Sequence, residues 1–220
     1  MAVFRDRTDA GRALAEKLAG LDEAAGAIVL ALPRGGVPVA YEIALELGIS
    51  LDVFAVRKLG VPGHEELAFG AIATGGVRVL NEDVVRSLGI SEEVIETVAT
   101  REERELERRQ RSYRGNRPAP DVAGRTAVMV DDGLATGSTM RAAITAVKKL
   151  HPRRVVVAVP VGAASTCRQL RQEADRVVCV ATPEPMTAIS VWYQDFAQTS
   201  DDEVRELLER TRRTSSEEQP

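Results

Sequence analysis

The chain has 220 residues, 44% of them hydrophobic and 28% charged, which is enough apolar material to bury a globular core and argues against disorder. Its formal net charge of -4 excludes a generally basic nucleic-acid binder and favours a small-molecule ligand. The first residues contain no apolar signal core, and no run of about 18 apolar residues occurs, so we expect a cytoplasmic protein that does not contact a membrane.

Helical and strand-like patterns alternate along the chain. A first helix is indicated by Ala10, Leu14 and Leu18, which are spaced to share one face. The strand-like runs lack polar alternation, which is typical of strands buried on both faces. This order predicts an α/β fold with a parallel sheet flanked by helices on both faces. The predicted strands cover 27–32, 52–56, 126–131, 154–161 and 176–181, and further helices cover 37–47, 138–150 and 163–173.

Two segments fall outside this alternation. Residues 60–116, here called the lid, contain short strand-like pieces followed by a charged helix, and we expect a flexible insertion. Residues 183–200, here called the hood, contain clustered aromatic side chains. We interpret residues 1–220 as one domain that carries both additions.

The charged helix of the lid begins after Ser91, a residue type that caps helices, and Glu92 and Glu93 suit its positive end. Its C-terminal arginines allow two interpretations, a basic patch for nucleic acid or a solvated face laced with salt bridges. Because glutamate and arginine are interleaved at helical spacing, the pattern favours the second interpretation.

The most informative segment is AVMVDDGLATGST at 127–139, a buried strand that runs through a small-residue turn into a helix. Asp131 and Asp132, here called the acid pair, end the strand at the sheet edge where open α/β folds bind ligands. Adjacent acids need hydrogen-bond donors there, and the 2,3-diol of a ribose supplies two. The turn and the start of the helix then offer backbone N–H groups to a phosphate. The residues expected at this phosphate are Ala135, Thr136, Gly137, Ser138 and Thr139.

This segment resembles the signature of the type I phosphoribosyltransferases, which has four apolar residues, two acids and a loop ending in Thr-Gly-x-Thr. Matching blocks continue in order over about 30–200. The resemblance implies binding of 5-phosphoribosyl 1-pyrophosphate (PRPP) and transfer of its ribose 5-phosphate to a nitrogen base in nucleotide salvage, with release of pyrophosphate. In this role Asp131 and Asp132 hold the diol and stabilise positive charge on the sugar. A pair of acids that merely caps a turn is the alternative.

The family also implies magnesium. Mg²⁺ is expected to be bound mainly through PRPP and pyrophosphate, so no protein metal site is predicted. The expected partners are PRPP, pyrophosphate and a nucleobase-like acceptor, and a homodimer is left open.

The turn after the first strand reads LPRGG and lies at the same sheet edge. Arg34 offers a planar guanidinium suited to pyrophosphate, and Gly35 and Gly36 allow the backbone to approach a ligand. In the family this turn is the pyrophosphate loop, so the resemblance implies that all three residues bind PRPP. An arginine that simply caps a glycine turn is the alternative.

The second strand continues into VRKLGVPGHEE, which resembles the flexible catalytic loop of adenine phosphoribosyltransferases. Arg57 and Lys58 would neutralise the departing pyrophosphate. The resemblance places Glu65 or Glu66 at the glutamate that exchanges a proton with the base, and surface charges on a mobile loop are the alternative. His64 can share this role, since its ordinary pKa is about 6.5.

Near the C-terminus, AISVWYQDF resembles the hood of purine-type enzymes, in which an aromatic ring stacks on the base. Trp192 and Tyr193 are therefore expected to bind the base, and packing of the hood on the core is the alternative. Ala135 matches adenine-type enzymes, whereas hypoxanthine-guanine enzymes carry an aspartate there. A purine acceptor is accordingly favoured over a pyrimidine. A regulatory PRPP sensor without transfer activity is the alternative function.

Overall fold

The computed structural model describes residues 3–19 and 26–217, without the side chains of Glu66 and residues 214–217. The helices are α1 (Arg7–Leu18), α2 (Gly36–Leu47), α3 (Glu82–Leu88), α4 (Glu92–Arg114), α5 (Ser138–Lys148), α6 (Ala164–Leu170) and α7 (Asp201–Glu217). The strands are β1 (Ile28–Ala31), β2 (Ser50–Val53), β3 (Val56–Val61), β4 (His64–Ala73), β5 (Val77–Leu80), β6 (Thr126–Val130), β7 (Arg154–Val161) and β8 (Arg176–Ala181). A short 3₁₀ turn covers Ser190–Trp192 in the hood.

The centre of the fold is a five-stranded parallel sheet with the strand order β2-β1-β6-β7-β8. Every residue of β1 and β6 is buried, as expected for strands covered on both faces. The order reverses between β1 and β6, because β2 lies on one side of β1 and the later strands lie on the other. Ligands bind at such reversal points in open α/β sheets. The turns that follow β1 and β6 therefore meet where a ligand is expected.

Helices cover both faces of this sheet, which confirms the predicted fold class. On one face, α1, α2 and α7 bury Leu14, Ile43 and Val204 against the sheet. On the other face, α5 and α6 bury Ile144 and Leu170. Each such aliphatic side chain contributes about 2 kcal/mol through its removal from water. These two cores hold β1 and β6 in fixed positions beneath the turns that follow them.

A second, antiparallel sheet of β3, β4 and β5 forms the first part of the lid and the residues just before it. Residues 57–61 were expected to leave the main sheet as a loop, but they form β3 and pair with β4. The reason is a separate apolar cluster, in which Leu59 and Phe69 are fully buried together with side chains of α4. The strand predicted over 52–56 ends at Val53 instead, since the chain passes almost directly from β2 into β3.

The charged helix predicted after Ser91 is α4, which has 23 residues. The Ser91 hydroxyl accepts a hydrogen bond from the Val94 N–H, as expected for a cap. Glu105 pairs with both Arg108 and Arg109 at the surface, and these bonds lower the pKa of Glu105 to about 2. The interleaved charges thus form the salt-bridged face that the pattern favoured. In the part of the chain that the structure describes, no helix combines the length and apolar character needed to cross a membrane.

The end of α4 is joined to the main sheet by a buried ion pair. Arg114 donates through Nε and Nη2 to the two carboxylate oxygens of Asp52 in β2, both at 2.8 Å. The side chains are only 5% and 13% exposed. A second acceptor for the same guanidinium is the carbonyl oxygen of Pro118. This pair therefore fixes the lid to the main sheet.

We expect Arg114→Met to lower the free energy of unfolding by about 3 kcal/mol, because it leaves the Asp52 carboxylate buried without its partner. Urea unfolding followed by circular dichroism measures the loss. The matched control is Arg108→Met, which removes an exposed arginine from the same helix and should leave the midpoint nearly unchanged. Equal effects of the two substitutions would show that the contact between Arg114 and Asp52 contributes no more to stability than an exposed ion pair.

Candidate functional site

The acid pair lies directly after β6, at the reversal point of the sheet. Asp131 Oδ1 accepts a hydrogen bond of 2.9 Å from the Asp132 N–H, so only one of the two Asp131 carboxylate oxygens is used to stabilise the turn. Burial and the neighbouring carboxylate raise the pKa of Asp131 well above its usual value. Burial also raises the pKa of Asp132, and the charge of Arg7 opposes that shift. Asp131 Oδ2 and Asp132 Oδ1 accept no hydrogen bond from the described residues and are available to a ligand.

The turn over 34–36 lies against the acid pair. A Cβ atom on Gly35 would lie 2.0 Å from Asp132 Oδ2, and one on Gly36 would lie 2.6 Å from the carbonyl oxygen of Val130. No side chain can be accommodated at such distances. The glycines were predicted to let the backbone approach a ligand, whereas here their small size lets the two turns approach each other. The turns after β1 and β6 therefore form one rigid edge.

Arg34 extends from this edge towards solvent. The peptide bond between Pro33 and Arg34 is cis. Arg34 Nη1 lies 3.7 Å from Asp201 Oδ1, a long ion pair between partly exposed side chains. Asp201 begins α7 and also accepts a 2.7 Å hydrogen bond from the Tyr113 hydroxyl of α4. Arg34 thus starts from the turn beside the acid pair and makes only a long ion pair, so its guanidinium can turn towards an anionic ligand.

The predicted phosphate loop, residues 135–139, is held open at the start of α5. Gly137 has a φ of 72° and is the N-cap of α5, with no side-chain hydrogen bond at the cap and no acidic residue in the first turn. Thr166 of α6 donates a 2.7 Å hydrogen bond to the Ala135 carbonyl oxygen and fixes the loop from behind. The first N–H groups of a helix attract anions because they lack acceptors and lie at its positive end. The geometry is therefore suited to a phosphate.

A cleft of about 330 Å³ separates the phosphate loop from β3 and brings Lys58 close to Thr139. Arg57 donates a 2.8 Å hydrogen bond from Nε to Glu102 of α4, whose second oxygen accepts one of 3.0 Å from Arg101 Nε. Lys58 forms no hydrogen bond or ion pair with the described part of the chain. In this conformation Lys58 is the predicted loop cation that is available to a ligand, whereas Arg57 is bound to a protein carboxylate.

The predicted proton donors lie at the tip of the β3–β4 hairpin. Glu65 lines the cleft, and hydrogen bonds from its own N–H and from that of Gly63 lower its pKa. A lowered pKa keeps the carboxylate ionised, so this conformation does not favour Glu65 as an acid. His64 is exposed at the start of β4. The side chain of Glu66 lies outside the described residues.

The two predicted base-binding aromatics occupy different environments. Tyr193 is buried between Phe4 and Phe196, at ring-centroid distances of 5.5 and 4.8 Å, and donates a 2.6 Å hydrogen bond to the Asp132 carbonyl oxygen. In this conformation its ring therefore supports the acid pair and offers no free face to a base. Trp192 is half-buried beside it.

Arg7 is a site residue that sequence reasoning missed. It begins α1, and its guanidinium lies 2.8 Å from Asp132 Oδ2 and 4.0 Å from the centre of the Phe196 ring. The contact joins residues 125 positions apart, so no local pattern could indicate it. The first helix was predicted only from its apolar face, which says nothing about a polar residue at its start.

Comparisons with known proteins identify relatives of this chain. The family model for the phosphoribosyl transferase domain matches residues 5–194. A Mycobacterium tuberculosis H37Rv protein, whose name describes it provisionally as a phosphoribosyl transferase, is 48% identical over 217 residues, or 99% of this chain and 49% of that protein. The chain thus spans about half the length of the curated relatives it matches. The crystal structure of TT1426 from Thermus thermophilus is similar at 43% identity and a TM-score of 0.85, covering 94% of this chain and 98% of that one.

We expect Asp131→Asn to raise the melting temperature by several degrees near neutral pH. An acid whose pKa is raised by folding favours the folded state while it is protonated, and this stability is lost as pH rises from the unfolded value of about 4 through the folded value. The amide removes the charge and keeps an oxygen for the Asp132 N–H. The gain should therefore vanish near pH 4.

Thermal unfolding across this pH range measures the effect. The matched control is Asp121→Asn, since exposed Asp121 also accepts a backbone N–H, from Ala123, and should show no such pH-dependent gain. A gain for Asp131→Asn that is equal at all pH values would contradict the assignment of the effect to a desolvated charge.

Proposed function

Because the chain belongs to the phosphoribosyl transferase family, we propose that it binds PRPP and transfers the ribose 5-phosphate to a nitrogen base, releasing pyrophosphate. One observation carries this proposal. An acid pair, a helix start without a side-chain cap and an arginine turn meet at the reversal point of one parallel sheet. These three features match the three parts of PRPP, which are a ribose diol, a 5-phosphate and a pyrophosphate.

In the proposed complex, the ribose hydroxyls donate to the free oxygens of Asp131 and Asp132. The 5-phosphate accepts hydrogen bonds from the N–H groups and hydroxyls of residues 136–139. The pyrophosphate then extends towards Arg34 and across the cleft to Lys58. Each ligand group would thereby be matched by a protein group of complementary charge or hydrogen-bonding capacity.

The proposed reaction is displacement at the C1 carbon of the ribose through a transition state with oxocarbenium character. Positive charge develops on the sugar ring beside the acid pair, whose negative charge stabilises it most when water is excluded. Negative charge develops on the leaving oxygen, which Arg34 and Lys58 stabilise. The lid, packed on its own core, would enclose the leaving group and the base.

Mg²⁺ is proposed to enter on the pyrophosphate. Within the described ranges, no group of three His, Cys, Asp or Glu side chains is placed to hold a metal ion. Mg²⁺ commonly takes most of its oxygen ligands from substrate phosphates and from water, and we propose the same arrangement here. When bound, it would neutralise part of the charge that accumulates on the leaving group.

The proposed acceptor is a purine. Ala135 leaves the phosphate loop without an acid that could contact a ring N–H, and the half-buried Trp192, next to Tyr193, could pack on a base. The proposed physiological setting is nucleotide salvage.

Calorimetry with PRPP, followed by a pyrophosphate-release screen across purine and pyrimidine bases with Mg²⁺, tests this function. We expect PRPP to bind and at least one purine to support release. The double variant Asp131→Asn with Asp132→Asn should remain folded and lose PRPP binding, because the diol loses both anionic acceptors. Unchanged PRPP affinity in this variant would refute the site assignment.

The position of Lys58 separates a transferase from a PRPP sensor. Since negative charge on the leaving oxygen grows during bond breaking, Lys58→Ala should lower kcat by roughly 100-fold while PRPP affinity falls much less. Single-turnover pyrophosphate release and calorimetry on the same protein measure both quantities. Lys148→Ala, which removes an exposed lysine near the end of α5, is the control and should change neither. A loss of affinity alone, with no turnover in the unmodified protein, would favour the sensor.

A further inference from the structure

The guanidinium of Arg7 is fully engaged at the acid pair. Its Nε and Nη2 atoms lie 2.9 and 2.8 Å from Asp132 Oδ2, and Nη1 donates a 2.7 Å hydrogen bond to the carbonyl oxygen of Ala197. The plane lies over the ring of Phe196, and the side chain is only 12% exposed. All three nitrogens and one face of the Arg7 guanidinium therefore make contacts, and these contacts restrict its position.

The charged groups around Asp132 explain why a cation is needed beside its carboxylate. Within the described ranges, the ionisable groups that act on Asp132 are Arg7 from α1, Asp131 from the same turn and Tyr193 from the hood. Burial raises the pKa of the Tyr193 phenol, so it stays neutral and supplies no charge. Arg34 lies towards Asp201 instead. Among the residues that the structure describes, Arg7 is thus the one cation at the pair, and an arginine does not lose its proton in proteins.

Two adjacent, partly buried carboxylates without a cation share a proton, because the second charge is repelled by the first. A shared proton would remove one acceptor from a site that has to meet two hydroxyl donors. The cation also occupies Oδ2 of Asp132, which leaves Oδ1 as its free oxygen. The contact with Arg7 therefore sets both the charge of the Asp132 carboxylate and the direction of its free oxygen.

We infer that Arg7 is a positioning residue for the ribose site: it keeps Asp132 ionised beside Asp131 and orients its free oxygen towards the ribose diol. The inference rests on the proposed PRPP binding and adds a residue from the first helix to that site. Arg7 acts through Asp132 and does not itself touch the substrate. Its contacts to Phe196 and Ala197 make the hood part of the same support.

The chain contains a matched control for this inference. Arg12 lies on the same helix and pairs through Nε, at 2.9 Å, with Glu42 of α2, whose side chain is 8% exposed. Arg7→Gln and Arg12→Gln therefore each remove one guanidinium of α1 from a buried or nearly buried carboxylate. Only the first of these carboxylates belongs to the ribose site.

The test compares PRPP affinity, by calorimetry, for Arg7→Gln and the unmodified protein between about pH 6 and about pH 8.5. The ratio of the two constants cancels the titration of PRPP itself. We expect an affinity loss of about tenfold or more at the acid end, the change that one unit of carboxyl pKa brings, and a recovery as pH rises. Arg7→Lys, which keeps the charge without the planar fork, should show a smaller loss that does not vary with pH. For Arg12→Gln we expect a lower melting temperature and a ratio near one throughout.

A ratio for Arg7→Gln that is constant with pH would overturn the inference, since it would indicate that Arg7 only joins α1 to the hood. A second readout does not need PRPP. In protein labelled with ¹³C at the aspartate carboxyls, and assigned with Asp132→Asn, the Asp132 titration should move to higher pH in Arg7→Gln and not in Arg12→Gln. If the unmodified protein and Arg12→Gln fail to bind PRPP, the proposed function is wrong, and the carboxyl titration still decides for or against the role of Arg7.

Discussion

The structure depends on placing two adjacent carboxylates, Asp131 and Asp132, at the end of a strand that is buried on both faces. Desolvation and the mutual repulsion of the two charges oppose this arrangement. Several neighbouring residues offset that unfavourable energy. Gly35 yields the space that the Asp132 carboxylate occupies, Tyr193 binds the backbone oxygen and Arg7 supplies a positive charge. Elements from both ends of the chain thus converge on one short turn.

Local chemistry explains what could be predicted from the sequence. The segment over 127–139 contains its own strand, turn and helix start, so these elements were predicted in the right places. Helix patterns over 37–47 and 138–150 and the strand over 154–161 were found for the same reason, since periodicity acts within one element. The fold class followed from their alternation.

Contacts between distant parts of the chain could not be predicted in this way. The Tyr193 hydroxyl meets the turn after β6 across 61 positions, and its aromatic neighbours suggested stacking on a base as readily as packing on the protein. The segment over 57–61 resembles the start of a flexible catalytic loop, which suggested an irregular conformation. Its conformation is decided instead by Leu59, whose burial depends on α4, more than thirty residues further along the chain.

The carboxylate of Glu102 affects how readily the Arg57 side chain can move. It is nearly buried and is shared by two guanidinium groups, with Arg57 on one oxygen and Arg101 on the other. If Arg57 turned away from it towards an anion in the cleft, Arg101 would still neutralise the charge that remained. Loss of the only partner of a buried acid strongly destabilises a folded protein. Loss of one of two partners costs far less, because the remaining partner still neutralises the charge. The second arginine therefore lowers the electrostatic cost of moving the Arg57 side chain away from Glu102.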